Sequence, residues 1–228
     1  MVSRETSVPE PPARPSLPDW LEPARGSLDR YAELLAGPGI ERGLLGPREA
    51  PRIWDRHILN CAVVADPALG LIPPRSQVAD IGSGAGLPGL VWALARPDIS
   101  VVLIESLLRR VTFLTECVHE LDLTERAQVV RARAEEAGDR AGAGGVGFHA
   151  VTARAVAPLG TVARWAAPLI RPGGSLVALK GESAHEELAR DGAELQASGL
   201  VDARVLTVGE GVVEPATTVV IAQRATAQ

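Results

Sequence analysis

Lysine is nearly missing from this chain. Lys180 is the only one among 228 residues whose Lys+Arg total is 23, so the basic side chains are otherwise arginines. A GC-rich genome accounts for that bias without a special role for arginine. Aromatic residues make up 3%, too few for a surface that stacks an extended run of single-stranded bases. The formal net charge is −5. A general nucleic-acid coat needs the opposite sign, because phosphate binding is driven by counterion release, although a local basic patch remains compatible. The two cysteines, Cys61 and Cys117, sit in apolar helical patterns and read as buried free thiols. No His or Cys accompanies them at metal-ligand spacing, so no metal is expected. No apolar run reaches the roughly 18 residues of a membrane span, and the N-terminal stretch lacks the apolar core of a signal peptide. These absences leave a cytoplasmic, monomeric enzyme as the expectation.

Hydrophobic residues make up 46% of the chain, enough for a real core. Residues 1–23, rich in Pro, Ser and charge, read as a disordered tail. Residues 24–70 read as a helical extension, with "SLDRYAELLAG" capped by Ser27 and ended at Gly37, and "RIWDRHILNCAVVA" ended before Pro67. Residues 71–228 read as the main domain, forming one compact unit with the extension.

From Gln77 the rhythm changes to short apolar strands alternating with helices. "QVADI", "SVVLIE", "AQVVRA", "FHAVTAR" and "SLVALKG" are strands, the last entered through an "RPGG" turn. "SLLRRVTFLTECVHEL" is a helix in which Leu107, Val111, Leu114, Val118 and Leu121 recur at helical spacing, with Ser106 as its cap. "LGTVARWAAPLI" and "ESAHEELARDGAELQASG" are two more helices, the second closed by Gly199. "DARVLTVG" and "ATTVVIAQ" finish as an antiparallel pair at the sheet edge. "DRAGAGGVG" reads as a flexible glycine-rich loop with no charge pattern suited to phosphate. The alternation implies an α/β fold: a mostly parallel sheet with an antiparallel edge, helices on both faces, and ligands outside the carboxyl ends of the strands.

The segment "VADIGSGAGLPGL" lies at one such end. Gly82, Gly84, Gly86 and Gly89 permit positive φ and bare-backbone approach of a ligand. Glu105 ends the next strand, about 20 residues on, where an acid accepts ribose hydroxyls. NAD and S-adenosylmethionine both carry that ribose. Asp80, just ahead of the first glycine, favours the cationic sulfonium and ammonium of S-adenosylmethionine over a pyrophosphate. Glu135, after the third strand, is a candidate for the adenine amine. A short-chain dehydrogenase needs Tyr-x-x-x-Lys, but Tyr31 is the only tyrosine and Leu176 stands four positions before Lys180.

"RHILN", "VADIGSGAGLPG", "IESLLRRVTFL", "ARAEE", "ARAVAPL" and "ALKGE" occur in that order, within a stretch of roughly Ile53 to Glu182. In this the chain resembles the bacterial small-subunit ribosomal RNA methyltransferase G family, also called glucose-inhibited division protein B. The resemblance implies a class I S-adenosylmethionine-dependent methyltransferase fold, Rossmann-like, with S-adenosylhomocysteine as product. It implies methylation of guanine N7 in the decoding region of 16S ribosomal RNA, free or in the small subunit. The family's cofactor contacts fall on Gly82 and Leu87, on Ala134 and Glu135, and on Arg154. The chain departs from the family's usual acid at Asn60 and from its usual serine at Ala153. Both departures concern the target side rather than the loop.

The residues fit such a reaction. Cys61 follows Asn60 and Cys117 follows Glu116, so neither is a proline-preceded nucleophile for base-C5 methylation. "TARAVAPLG" is not the Asp/Asn-Pro-Pro-aromatic loop of exocyclic amine methylation. Guanine N7 carries a lone pair and no proton, so it needs alignment rather than a general base. The target-positioning candidates are Arg56 and His57, on a polar strip beside Asn60, and Lys180 at the fifth strand end. Arg48, Arg52, Arg109, Arg110, Arg131 and Arg133 are candidates for a basic rim. Arg154 suits either the cofactor carboxylate or the target base, and the resemblance favours the cofactor. Two alternatives are an rRNA assembly factor that binds the cofactor without catalysis, and a small-molecule methyltransferase on the same fold.

Overall fold

Val, Ile and Ala crowd the segments that become strands, and their alternation sends successive side chains to opposite faces of one sheet. In the computed structural model, which describes residues 15–137 and 147–226, seven strands form that sheet. They are β1 (Gln77–Ile81), β2 (Ser100–Glu105), β3 (Ala127–Arg131), β4 (Phe148–Arg154), β5 (Ile170–Lys180), β6 (Leu200–Val208) and β7 (Thr217–Arg224). The order is β3-β2-β1-β4-β5-β7-β6. The first five strands are mutually parallel; β7 runs antiparallel to both β5 and β6, as the antiparallel edge requires. The order reverses between β1 and β4, which makes their carboxyl ends the switch point where a ligand crevice forms.

The two faces carry separate cores. Val78, Leu103, Val177 and Val219 point to one face, and Ile81, Ile104, Val151, Leu176 and Val220 to the other. The first face is covered by α1 (Arg25–Leu34), by a helical run from Pro47 to Ala65 that includes α2 (Asn60–Ala62), by α3 (Gly89–Ala95) and by α4 (Leu108–Glu120). The second face is covered by α5 (Leu159–Ala166) and α6 (Ala184–Ala197). Leu21, Leu28, Leu35, Ile53 and Ile58 are all 0% exposed. At ~1.5–3 kcal/mol for each such side chain, the N-terminal helices belong to the core rather than decorate it. Arg96 ties them on from beneath. It donates to Ala65 O and Ile72 O, and pairs bidentately with Asp98, whose carboxyl it holds down at about 2.

Several local expectations fail for identifiable reasons. Part of the stretch read as a tail is packed instead: Leu17 and Leu21 are buried. Residues 1–14 lie outside the described residues. Ser27 does not cap α1, which starts at Arg25 with no side-chain cap. Gly37 does not end that helix; a wider π turn carries it through Pro38. Ser106 does not cap α4 either: the helix starts at Leu108 with no side-chain cap, and the Glu105 carboxylate accepts from the N–H groups of Ser106 and Leu107 just ahead of it. The buried stripe of α4 is Phe113, Leu114, Cys117 and Val118, continued by Leu121 just past its end, while Leu107 is 46% exposed. The "RPGG" turn is absorbed into β5 as a bulge, pairing moving from Phe148–Ile170 to Ala150–Ser175. Most of the glycine-rich loop 139–147 lies outside the described residues.

Candidate functional site

The site is built where β1 ends. Gly82 and Ser83 donate to Ile104 O, then the chain turns back so that Gly86 and Leu87 donate to Ser83 O before α3 begins. The turn needs left-handed backbone: φ is +68° at Gly82, +59° at Gly84 and +100° at Gly86. Gly84 faces open space, for a Cβ there would meet nothing nearer than Gly82 O at 3.8 Å. Gly89 has the opposite function. A Cβ there would stand 2.4 Å from Leu103 Cδ2 and 2.7 Å from Asp80 Oδ2, so glycine lets α3 lie directly on the sheet.

Two buried acids support the loop. Asp80 is 0% exposed; its Oδ2 accepts from Gly89 N at 3.1 Å, and its Oδ1 has no hydrogen-bond partner among the described residues. Burial, aided by the nearby Glu105 charge, pushes its carboxyl up to about 7 against the pull of Gly89 N–H. Glu105 is 3% exposed rather than a free strand-end acid. It accepts from Gly84 N, Ser106 N and Leu107 N at 3.1, 2.8 and 2.9 Å, with Arg110 Nη1 more distant at 3.4 Å. A carboxylate offers about four lone-pair directions, so the one loosely used by Arg110 is what remains for a ligand hydroxyl. Ala134 and exposed Glu135 follow one strand over, on the short turn Ala134–Glu136 after β3.

On the other side of the switch point lies a cleft of about 1110 Å³. Its walls come from the ends of β4 and β5, the start of β7, the helical run near Arg56 and Asn60, and α6. Arg154 is the one residue of the expected cofactor set that lines it. Because Ile81 pairs with Ala153, Arg154 stands at the seam between the glycine turn and the cleft. Arg56 lines the cleft and is exposed.

His57 differs from the expectation, whereas Lys180 lines the cleft at the fifth strand end, already ion-paired. His57 is 7% exposed and fully engaged, with Nδ1 3.1 Å from Arg154 Nη2 and Nε2 2.8 Å from Glu49 Oε2. It therefore offers no free N–H to RNA phosphate. Burial and Arg154 hold its pKa below the usual imidazole value, against the pull of Glu49. Lys180 donates to Ala157 O at 3.1 Å and pairs with Glu187 at 2.8 Å. It pins the β4–α5 loop, where Ala155 sits at φ +52°, instead of projecting into solvent.

Sequence reasoning missed four contributors. Tyr31 is 0% exposed and donates to Ala85 O at 2.7 Å, bracing the glycine turn from α1. Its isolation as the only tyrosine was the available signal. Glu187 accepts from Lys180 and from Leu159 N, and Asp191 from Gly160 N, so α6 caps the start of α5. Their i,i+4 spacing on a polar helix face hinted at a shared partner. Glu49, which orients His57, carried no signal at all.

The family model described as rRNA small subunit methyltransferase G matches residues 25–216. The chain is 58% identical over 193 residues to a protein of Salinispora tropica named Ribosomal RNA small subunit methyltransferase G, spanning 83% of this chain and 77% of that one. It is 48% identical over 224 residues to the protein of that name in Mycolicibacterium gilvum, spanning 98% and 94%. Among solved structures it is similar to a putative S-adenosyl-L-methionine-dependent methyltransferase of Methanococcus maripaludis, with TM-score 0.58, 13% identity, and 95% and 98% coverage. It is also similar to Aeropyrum pernix fibrillarin, solved with natively bound S-adenosyl-L-methionine, with TM-score 0.52, 17% identity, and 72% and 76% coverage. At such identities the two structures speak for the fold: a mostly parallel seven-stranded sheet with an antiparallel edge.

Proposed function

The chain belongs to the rRNA small subunit methyltransferase G family, and we propose that it transfers a methyl group from S-adenosylmethionine to N7 of a guanine in the decoding region of 16S ribosomal RNA. The observation that carries this reading is the juxtaposition, at the β1–β4 switch point, of a bare glycine turn and a charged cleft of about 1110 Å³. One half suits a small cofactor and the other a nucleotide.

The residues fit the cofactor. Gly84 leaves room for close approach, and Gly82, Gly86 and Leu87 complete the turn. The unpartnered Asp80 Oδ1 is a buried polar atom without a hydrogen bond, and a cationic ligand nearby would favour its charged form. Glu105 would take a ribose hydroxyl, Glu135 the adenine amine beside Ala134, and Arg154 the carboxylate. When bound, S-adenosylmethionine supplies an electrophilic methyl on a sulfonium and leaves as S-adenosylhomocysteine.

What the chain itself must do is modest. Guanine N7 presents an in-plane lone pair without a proton, so no side chain has to act as a base, and His57 and Asp80 are not asked to. Alignment is the remaining requirement. Lys180 and Glu187 fix the loop from Ala155 to Pro158 that borders the cleft. Arg56, with Arg52 beside it, meets RNA phosphate at the rim and sets register without reading sequence. The partner is 16S rRNA or the assembled small subunit, met in the cytoplasm. Among the described residues no helix is long and apolar enough to cross a membrane.

The test is nucleoside mapping of 16S rRNA from cells with and without the gene. N7-methylguanosine at one decoding-region position should vanish with the gene and return with the wild-type chain. An unchanged map would refute the reading, and would favour an assembly factor without catalysis.

A further inference from the structure

Arg154 is a permanent donor: a guanidinium carries five N–H groups and no acceptor. Any group 3.1 Å from its Nη2 and hydrogen-bonded to it must accept. That group is His57 Nδ1. An accepting Nδ1 carries no proton, so the neutral ring holds its hydrogen on Nε2, where it donates to Glu49 Oε2 at 2.8 Å. The chain of contacts has only one consistent proton arrangement. Two more contacts orient the same guanidinium from the same helical run: Nη2 donates to Arg56 O at 3.0 Å and Nη1 lies 3.3 Å from Cys61 Sγ. All of these partners lie in the N-terminal segment between residues 49 and 61, more than ninety residues from Arg154 in sequence.

We propose that Glu49 and His57 are positioning residues for Arg154: Glu49 fixes the imidazole as the Nε2–H tautomer, and Nδ1 then holds the guanidinium at the seam of the site. The N-terminal extension thereby completes the cofactor side of the crevice instead of serving only as a cover. The proposal rests on the reading that Arg154 faces the cofactor. The charged groups around His57 are Glu49 from the segment before it, Arg56 beside it on its own helix and Arg154 from β4; Arg52 acts on Glu49. Protonated His57 would turn an N–H and a positive charge toward the Arg154 N–H, and the hold on Arg154 would be lost.

The arrangement is tested in the free, full-length protein by long-range proton–nitrogen spectra of its four histidines. His57 should be neutral at pH 7 with its proton on Nε2. Replacing Glu49→Gln should move its titration midpoint to lower pH, and Arg154→Ala should move it to higher pH. A ring protonated on Nδ1, or a midpoint indifferent to both changes, would overturn the relay. Its consequence is read by calorimetry with S-adenosylhomocysteine. His57→Leu should weaken binding about tenfold, while His57→Asn, whose side-chain oxygen can take the place of Nδ1, should stay within about threefold of wild type. Equal binding by the leucine variant at an unchanged melting temperature would overturn the positioning role. Wild-type affinity in Arg154→Ala would sink the assignment of Arg154 to the cofactor, which is a separate failure, because the tautomer is read without any ligand.

Discussion

The two halves of the carboxyl edge of this sheet are built on different principles. On the β1–β2 half, the ligand-facing surface is mainly backbone: a glycine turn at positive φ, supported from below by acids that are 0% and 3% exposed. On the β4–β5–β7 half, the surface is side chains: Arg56 and Asn60 from the extension, Arg154 from β4, and Lys180 and Glu187 locked to one another. The first half holds a shape that one chain segment defines. The second half holds a charge distribution assembled from four segments. On the proposed function, the difference teaches that a small ligand would be met by local chain geometry and a large RNA surface by long-range assembly. Substitutions in the first half should therefore act on cofactor affinity and fold, and those in the second half on RNA, apart from Arg154, which stands at the seam and is proposed to hold the cofactor carboxylate.

The sharpest contrast is expected at Gly84. Gly84→Val costs only ~1–2 kcal/mol of left-handed strain, because nothing crowds a Cβ there, so the protein should still fold. S-adenosylhomocysteine affinity by calorimetry should nevertheless fall at least ~100-fold, since the valine occupies the approach path. Normal affinity would break the assignment of the loop.

Asp80 should give the next largest effect, and a pH-dependent one. Its folded-state pKa of about 7 lies above the ordinary 3.8, so the folded protein holds the extra proton between those values. That contribution is fully present below pH 3.8 and is lost as pH rises through 7. Unfolding free energy of the free protein should thus fall by up to roughly 1.4 kcal/mol per pH unit across that window relative to Asp80→Asn. Parallel pH profiles in urea titrations of the two proteins would contradict the buried, half-satisfied carboxyl.

Tyr31→Phe should come third. It removes a buried donor and leaves Ala85 O unsatisfied, which costs ~1–3 kcal/mol in denaturant unfolding and should loosen cofactor binding along with it. Loss of stability without any loss of affinity would show that α1 braces the fold but not the turn.

Arg56→Ala should have the smallest effect on the isolated protein. Its side chain is half exposed and its pair with Glu49 is long at 3.6 Å, so stability should move by less than ~0.5 kcal/mol. Its effect belongs to the RNA half: the slope of log affinity for rRNA against log salt should become shallower by roughly 0.7–0.9, with cofactor affinity unchanged. A change in cofactor affinity would blur the division between the halves.

The same division explains what could be read in the chain beforehand. β1, the turn and α3 are contiguous, and each residue type there answers a local demand, so "VADIGSGAGLPG" announced its own geometry. Glu105 was legible because strand length alone carries it to the end of β2. The state of Glu105 was not, since Gly84 N and Ser106 N meet it only after the turn has folded. Arg56 and His57 adjoin in sequence, but the helix turns one outward and the other onto Arg154, 97 residues away. No local pattern encodes that pairing. Leu17 and Leu21 looked like tail residues among prolines, and only the shape of the finished core shows where they go.

The most direct measurement of the central claim is tritiated methyl transfer from S-adenosylmethionine to purified small subunits and to protein-free 16S rRNA, followed by nucleoside analysis. The account predicts label in N7-methylguanosine alone, at a single position, on at least one of the two substrates. Label in another nucleoside, or none on either substrate from protein that binds S-adenosylhomocysteine, would contradict it.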